Sequence, residues 1–112
     1  MKIISTEFRD QEAISWKDLE DFLNKSIYEE GFVVLSDDKQ PNYIQMAEME
    51  TENGWKWGVE VRLYQSDAIF QHFRRFFNNP EEAIPVFKVI YYDENFDYNE
   101  PNWKDVTNEF TE

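Results

Sequence analysis

The chain has 112 residues, 18% of them aromatic, which is enough apolar material for the core of one domain. Its 24 acidic against 11 basic side chains set a formal charge of -13, which repels nucleic acid and anionic membranes and attracts basic surfaces. With no cysteine, disulfide staples, thiol catalysis and cysteine-ligated zinc or iron–sulfur sites are excluded.

The opening "MKIISTEFRDQ" has too short an apolar run for a signal peptide, and nowhere do about 20 apolar residues follow one another as a membrane span requires. The expectation is a soluble, cytoplasmic protein with no membrane association. Ser15 then precedes Trp16, Leu19, Phe22, Leu23 and Ile27 at helical spacing, with Asp18 in capping-box position and Gly31 placed to stop the helix. This predicts a helix over about 16–30, with Lys17, Glu20, Asp21, Asn24 and Lys25 on its solvated side. "FVVLS", 32–36, reads as a short strand, and "DDKQPN" as a polar turn.

Between residues 42 and 64, Asn53-Gly54 separates two strand-forming runs and predicts a hairpin. In a two-residue loop with Glu52 facing Trp55, Glu48 and Glu50 share a face with Trp57, Val59, Val61 and Leu63. A three-residue loop with Gly54 as a bulge pairs Met49 with Trp57, Ala47 with Val59 and Tyr43 with Leu63. Keeping carboxylates off the core favours the second register. Ser66-Asp67 is read as opening a second helix whose stripe is Ile69, Phe70, Phe73, Phe76 and Phe77, stopped at Asn78-Asn79-Pro80. "AIPVFKVIYY" reads as a central strand over about 85–92. The end, "WKDVTNEF", fits either a short helix or a last strand. The expected fold class is α+β: a single domain over 1–112, mainly an antiparallel sheet of about four strands with two helices packed on it.

Few residues point to catalysis. Asp93, Asn95 and Asp97 alternate like the first ligands of a calcium loop, but Tyr98 stands where the turn glycine belongs and Lys104 where the closing glutamate belongs. No metal and no cofactor is expected. His72 is the sole histidine and falls on the flank of the expected second helix. Glu60 and Arg62 lie two apart on the outward face of the hairpin. Arg74-Arg75, near the end of that helix, would favour its dipole. The three glycines are unclustered, so no phosphate-cradling loop or nucleophile elbow is present, and the reading is that the protein is not an enzyme.

Residues 93–112 hold seven acids and one base, interleaved with Phe96, Tyr98 and Trp103. Carboxylates steer a basic partner and half-buried rings anchor it, so Asp93, Glu94, Phe96, Asp97, Tyr98 and Glu100 form the first candidate partner surface. Glu48, Glu50 and Glu60, read as lying on the hairpin's outer face, form the second.

A short acidic chain of this outline, with "SWKDLEDFL" near its start and "EPNWKDVTNEF" near its end, resembles the small immunity proteins of bacterial polymorphic-toxin and contact-dependent inhibition systems. The resemblance implies a cytoplasmic antitoxin that binds a cognate toxin domain, often a basic nuclease, without catalysing anything. Two other readings stand beside it. A nucleic-acid mimic would set carboxylates at phosphate-like spacing along one face. A small enzyme or ligand-binding domain would enclose Glu60, Arg62 or His72 in a pocket. Either a monomer or a homodimer is compatible, because an exposed hairpin edge can pair with its own copy.

Overall fold

The computed structural model describes residues 2–37, 40–92 and 102–110. Among these, seven strands form one antiparallel sheet in the order β2-β1-β3-β4-β5-β6-β7. They are β1 (Lys2–Ser5), β2 (Glu12–Ala13), β3 (Phe32–Asp37), β4 (Gln40–Thr51), β5 (Gly54–Tyr64), β6 (Phe70–Phe77) and β7 (Lys104–Asp105). Helix α1 spans 16–30 and helix α2 spans Pro80–Tyr92. The α+β class is as expected, with seven strands rather than about four.

The first helix forms as its caps predict. Ser15 Oγ accepts a hydrogen bond from the Asp18 amide at 3.2 Å, and Gly31 ends the helix at φ 85° while its N–H reaches the Ile27 carbonyl at 2.8 Å. Its middle, Phe22–Ser26, widens into a π turn, and Leu19, Phe22, Leu23 and Ile27 are buried.

The two middle assignments are exchanged. "FQHFRRFF" is a strand, β6, and "AIPVFKVIYY" belongs to a helix, α2. In α2 the Glu82 amide donates to Asn79 Oδ1 at 3.0 Å and Asn79 Nδ2 donates to Glu82 Oε1 at 3.1 Å, while Pro80 opens the first turn. Asn79-Pro80 therefore starts a helix instead of stopping one. Ala83 and Phe87, four apart and both 0% exposed, face the core, and Ile84, Ile90 and Tyr91 pack around them.

The hairpin register is neither of the two weighed. Glu52-Asn53 makes the turn, Thr51 faces Gly54, and Glu50, Glu48, Met46 and Ile44 face Trp55, Trp57, Val59 and Val61. Gly54, at φ 97°, takes the left-handed conformation. This register buries Ile44 and Met46 against Val59 and Val61. It does place Glu48 and Glu50 on the core side of the sheet, but the strands run past the core there, so both carboxylates reach solvent. Avoiding buried charge did not select the register, because burial ends before the strands do.

Both helices contribute to one apolar cluster with Ile4, Val33, Leu35, Ile44, Met46, Val59, Val61, Phe73 and Phe77, so they cover one face of the sheet. The opposite face carries the alternate residues and, among the described residues, no α-helix. After β7 a single 3-10 turn, Thr107–Phe110, lies against it; the chain end thus supplies both a short strand and a helical turn.

Candidate functional site

Alternation along β4, β5 and β6 places two rows of polar side chains on the face opposite the helices. In one row Gln45, Glu60 and Arg74 are cross-strand neighbours, and in the next Tyr43, Arg62 and His72. Arg74 Nε donates to Glu60 Oε1 at 2.6 Å, and Gln45 Nε2 donates to Glu60 Oε2 at 2.7 Å. Arg74 also reaches the Glu109 carboxylate, at 3.1 and 3.2 Å from its two oxygens. Arg62 Nε donates to His72 Nδ1 at 3.0 Å, so the neutral imidazole carries its hydrogen on Nε2. That nitrogen is buried, has no hydrogen-bond partner among the described residues, and stands 3.5 Å from Glu60 Oε2.

The 3-10 turn and its approach close over this cluster. The Val106 amide donates to the His72 carbonyl at 2.8 Å, and the His72 amide donates to Thr107 Oγ1 at 2.9 Å. The Phe110 ring lies 4.3 Å from the imidazole and 4.7 Å from the Arg62 guanidinium, which also stacks 4.0 Å from the Phe70 ring. His72 is left 1% exposed and Glu60 7% exposed.

Electrostatics follow from that enclosure. Burial alone would raise the Glu60 carboxyl, but the hydrogen bonds from Arg74 and Gln45, with the charges of Arg74 and His72, hold it below the usual range. Burial pushes the His72 imidazole below its ordinary value; Glu60 pulls it back in part, and Arg62 and Arg74 add to the lowering.

Glu60, Arg62 and His72, three separate candidates in the sequence, are thus one cluster. Gln45, Arg74, Glu109 and Phe110 belong to it and were not singled out as site residues. Strict alternation in "FQHFRRFF" would have shown that His72 and Arg74 share a face; the helical reading hid it.

The other candidates fall elsewhere. Asp93, Glu94, Phe96, Asp97, Tyr98 and Glu100 lie outside the described residues. So does the Asp93-Asn95-Asp97 alternation weighed as a calcium loop. Glu48 and Glu50 lie on the opposite side of the hairpin from Glu60, so these three do not make one patch. Glu48 and Glu50 instead share their side with Trp55, which is 62% exposed. Glu52 adds a third exposed carboxylate at the turn. Further along the same side, Tyr28 meets Trp57 edge-on at 5.8 Å and its hydroxyl donates to Glu81 at 2.6 Å, which pushes the phenol up to about 12. A separate cleft of about 500 Å³ lies beside α1, lined by Arg9, Glu12, Asp18, Asp21 and Lys25. No described helix is long and apolar enough to cross a membrane, and no group of three or more metal-ligating side chains occurs among the described residues.

No protein-family model, curated protein or solved structure matches this chain.

Proposed function

We propose that this protein is a non-catalytic acidic binding domain that docks on and neutralises a basic protein partner, in the manner of a cytoplasmic immunity protein acting on a bacterial toxin domain. The observation that carries the reading is the end of the β4–β5 hairpin, where Trp55 stands 62% exposed beside the exposed carboxylates of Glu48 and Glu50. Large rings left in solvent supply the anchors on which interface energy concentrates. Surrounding carboxylates, on a chain of charge -13, raise the rate of encounter with a basic surface. A nuclease domain must present Lys and Arg to phosphates, so its active face has the complementary charge.

A non-catalytic role is supported by the state of the polar cluster. Both Glu60 oxygens already accept hydrogen bonds from the protein, and the His72 ring is covered by Phe110, so neither is presented to a substrate as folded.

The test is affinity capture on the immobilised protein from its native lysate at low and high salt, run in parallel with Trp55→Ala and Glu48→Lys/Glu50→Lys variants. One stoichiometric basic partner is expected on the wild type, with the charge-reversed protein losing most of it at low salt and Trp55→Ala releasing it faster. Retention that is equal on all three proteins, or no basic partner at either salt, rejects the reading.

A further inference from the structure

Trp103 packs in the core and β7 pairs with β6, but the strap that follows, 106–110, lies over the sheet on contacts most of which meet one titratable ring, the Arg74–Glu109 pair being the other hold. His72 is the only histidine in the chain and contacts the strap through its amide, its carbonyl and its imidazole face. We propose that His72 is the trigger of an acid-operated latch: a proton taken up at Nδ1 breaks the Arg62 hydrogen bond and frees the strap from the open face of the sheet.

The chemistry lies in the hydrogen-bond inventory. In the closed state Nδ1 must be an acceptor, because Arg62 Nε–H points at it from 3.0 Å. Protonation turns that acceptor into a donor and sets an imidazolium beside a guanidinium. Two donors and two like charges cannot keep this spacing. Arg62 has to move, yet its guanidinium is the cation against which Phe110 stacks at 4.7 Å, with Phe70 at 4.0 Å and Tyr43 at 5.7 Å. Displacing Arg62 therefore removes one support of the Phe110 ring and tilting the imidazole removes a second, which leaves the edge of Phe70 at 6.5 Å.

Every charged group around the ring bears on the balance. From β5, Glu60 stands 3.5 Å from Nε2 and favours the proton. From β5 and β6, Arg62 and Arg74 oppose it. Tyr43 from β4 contributes a ring edge at 6.5 Å, and Gln45 is committed to Glu60. On the strap, Glu109 is committed to Arg74, and Asp105 accepts from the Thr107 hydroxyl that in turn accepts from the His72 amide. Opening the strap would hydrate the ring, so the open state binds the proton more readily than the closed one.

Because the histidine is unique, its ring signal in a proton–carbon correlation spectrum is unambiguous. The experiment follows that signal from pH 8 to pH 5 in the full chain, together with the hydrogen-exchange protection factors of the Val106 and His72 amides. Expected is a ring pKa below the free value of about 6.5. Protection of both amides should fall by up to about tenfold per pH unit below that value, as one coupled proton requires. In Phe110→Ala, whose ring is 43% exposed and outside the main core, the His72 pKa should rise toward the free value. In His72→Gln the pH-dependence of protection should vanish. Protonation with both amides still protected, an unchanged pKa in Phe110→Ala, or the same acid loss of protection in a folded His72→Gln would each overturn the latch. The last result would assign strap release to Glu60 or Glu109.

Discussion

The two faces of the sheet are stabilised in opposite ways. On the helix side, Ile44, Met46, Val59, Val61 and Phe87 are buried with no polar atoms to satisfy, so the interaction is non-directional and scales with area. On the strap side, burial encloses Glu60, Arg62, His72 and Arg74, and each donor has to be met by an acceptor at a set distance. The first face is expected to be indifferent to pH and salt and the second to respond to protonation. One sheet thus combines an apolar core with a cover built on titratable groups.

The largest expected effect tests the helix side. Phe87→Ala removes a fully buried ring joining α2 to the sheet and should cost about 3–5 kcal/mol in urea unfolding. A loss under about 1 kcal/mol would mean that α2 is not part of the cooperative core. Next, on the strap side, Glu60→Ala leaves Gln45 without its acceptor and Arg74 with Glu109 alone, and should cost about 2 kcal/mol. Once Arg74 is already alanine, the same change should cost much less. Additive losses in that cycle would show that the ion pair does not couple the strands.

A smaller effect separates the faces by pH. The closed-state pKa of His72 is lowered, so its contribution is fully present above the free-histidine value of about 6.5 and is lost as pH falls below it toward the folded value. Glu60 is lowered as well, so its contribution is present above the ordinary carboxyl range and is lost only in stronger acid. Urea midpoints at pH 7.5 and 5.5 should therefore differ in the wild type and converge in His72→Gln. Equal midpoints in the wild type would show that the histidine is energetically silent. Smallest of all, Trp55→Ala should change stability by no more than about 0.5 kcal/mol, since its ring is mostly solvated. A larger loss would assign Trp55 to the fold and remove it as a docking anchor.

Much of this was legible wherever a cap or a turn fixed the local geometry. Ser15, Asp18 and Gly31 define α1 without any tertiary help, and strand β3 follows from its β-branched run. The acidic charge and the absence of cysteine likewise bound the partner chemistry from composition alone. Reading failed where one pattern satisfied two periods. Phe70, Phe73, Phe76 and Phe77 fit a helical stripe, yet in β6 Phe73 and Phe77 enter the core while Phe70 and Phe76 lie on the strap side. A strand covered on both faces loses the alternation that identifies it. In α2, the apolar run 83–92 resembles a strand because Asn79-Pro80, which caps the helix through Glu82, reads equally well as the stop of the element before it. Only the tertiary structure decided that Glu60, Arg62, His72 and Arg74 meet. They come from two strands, β5 and β6, whose register sets buried Trp57 and Val61 opposite Phe77 and Phe73, and they are enclosed by residues more than 30 positions further along the chain. Local sequence determines which way a side chain leaves its strand, but long-range pairing determines what it finds there.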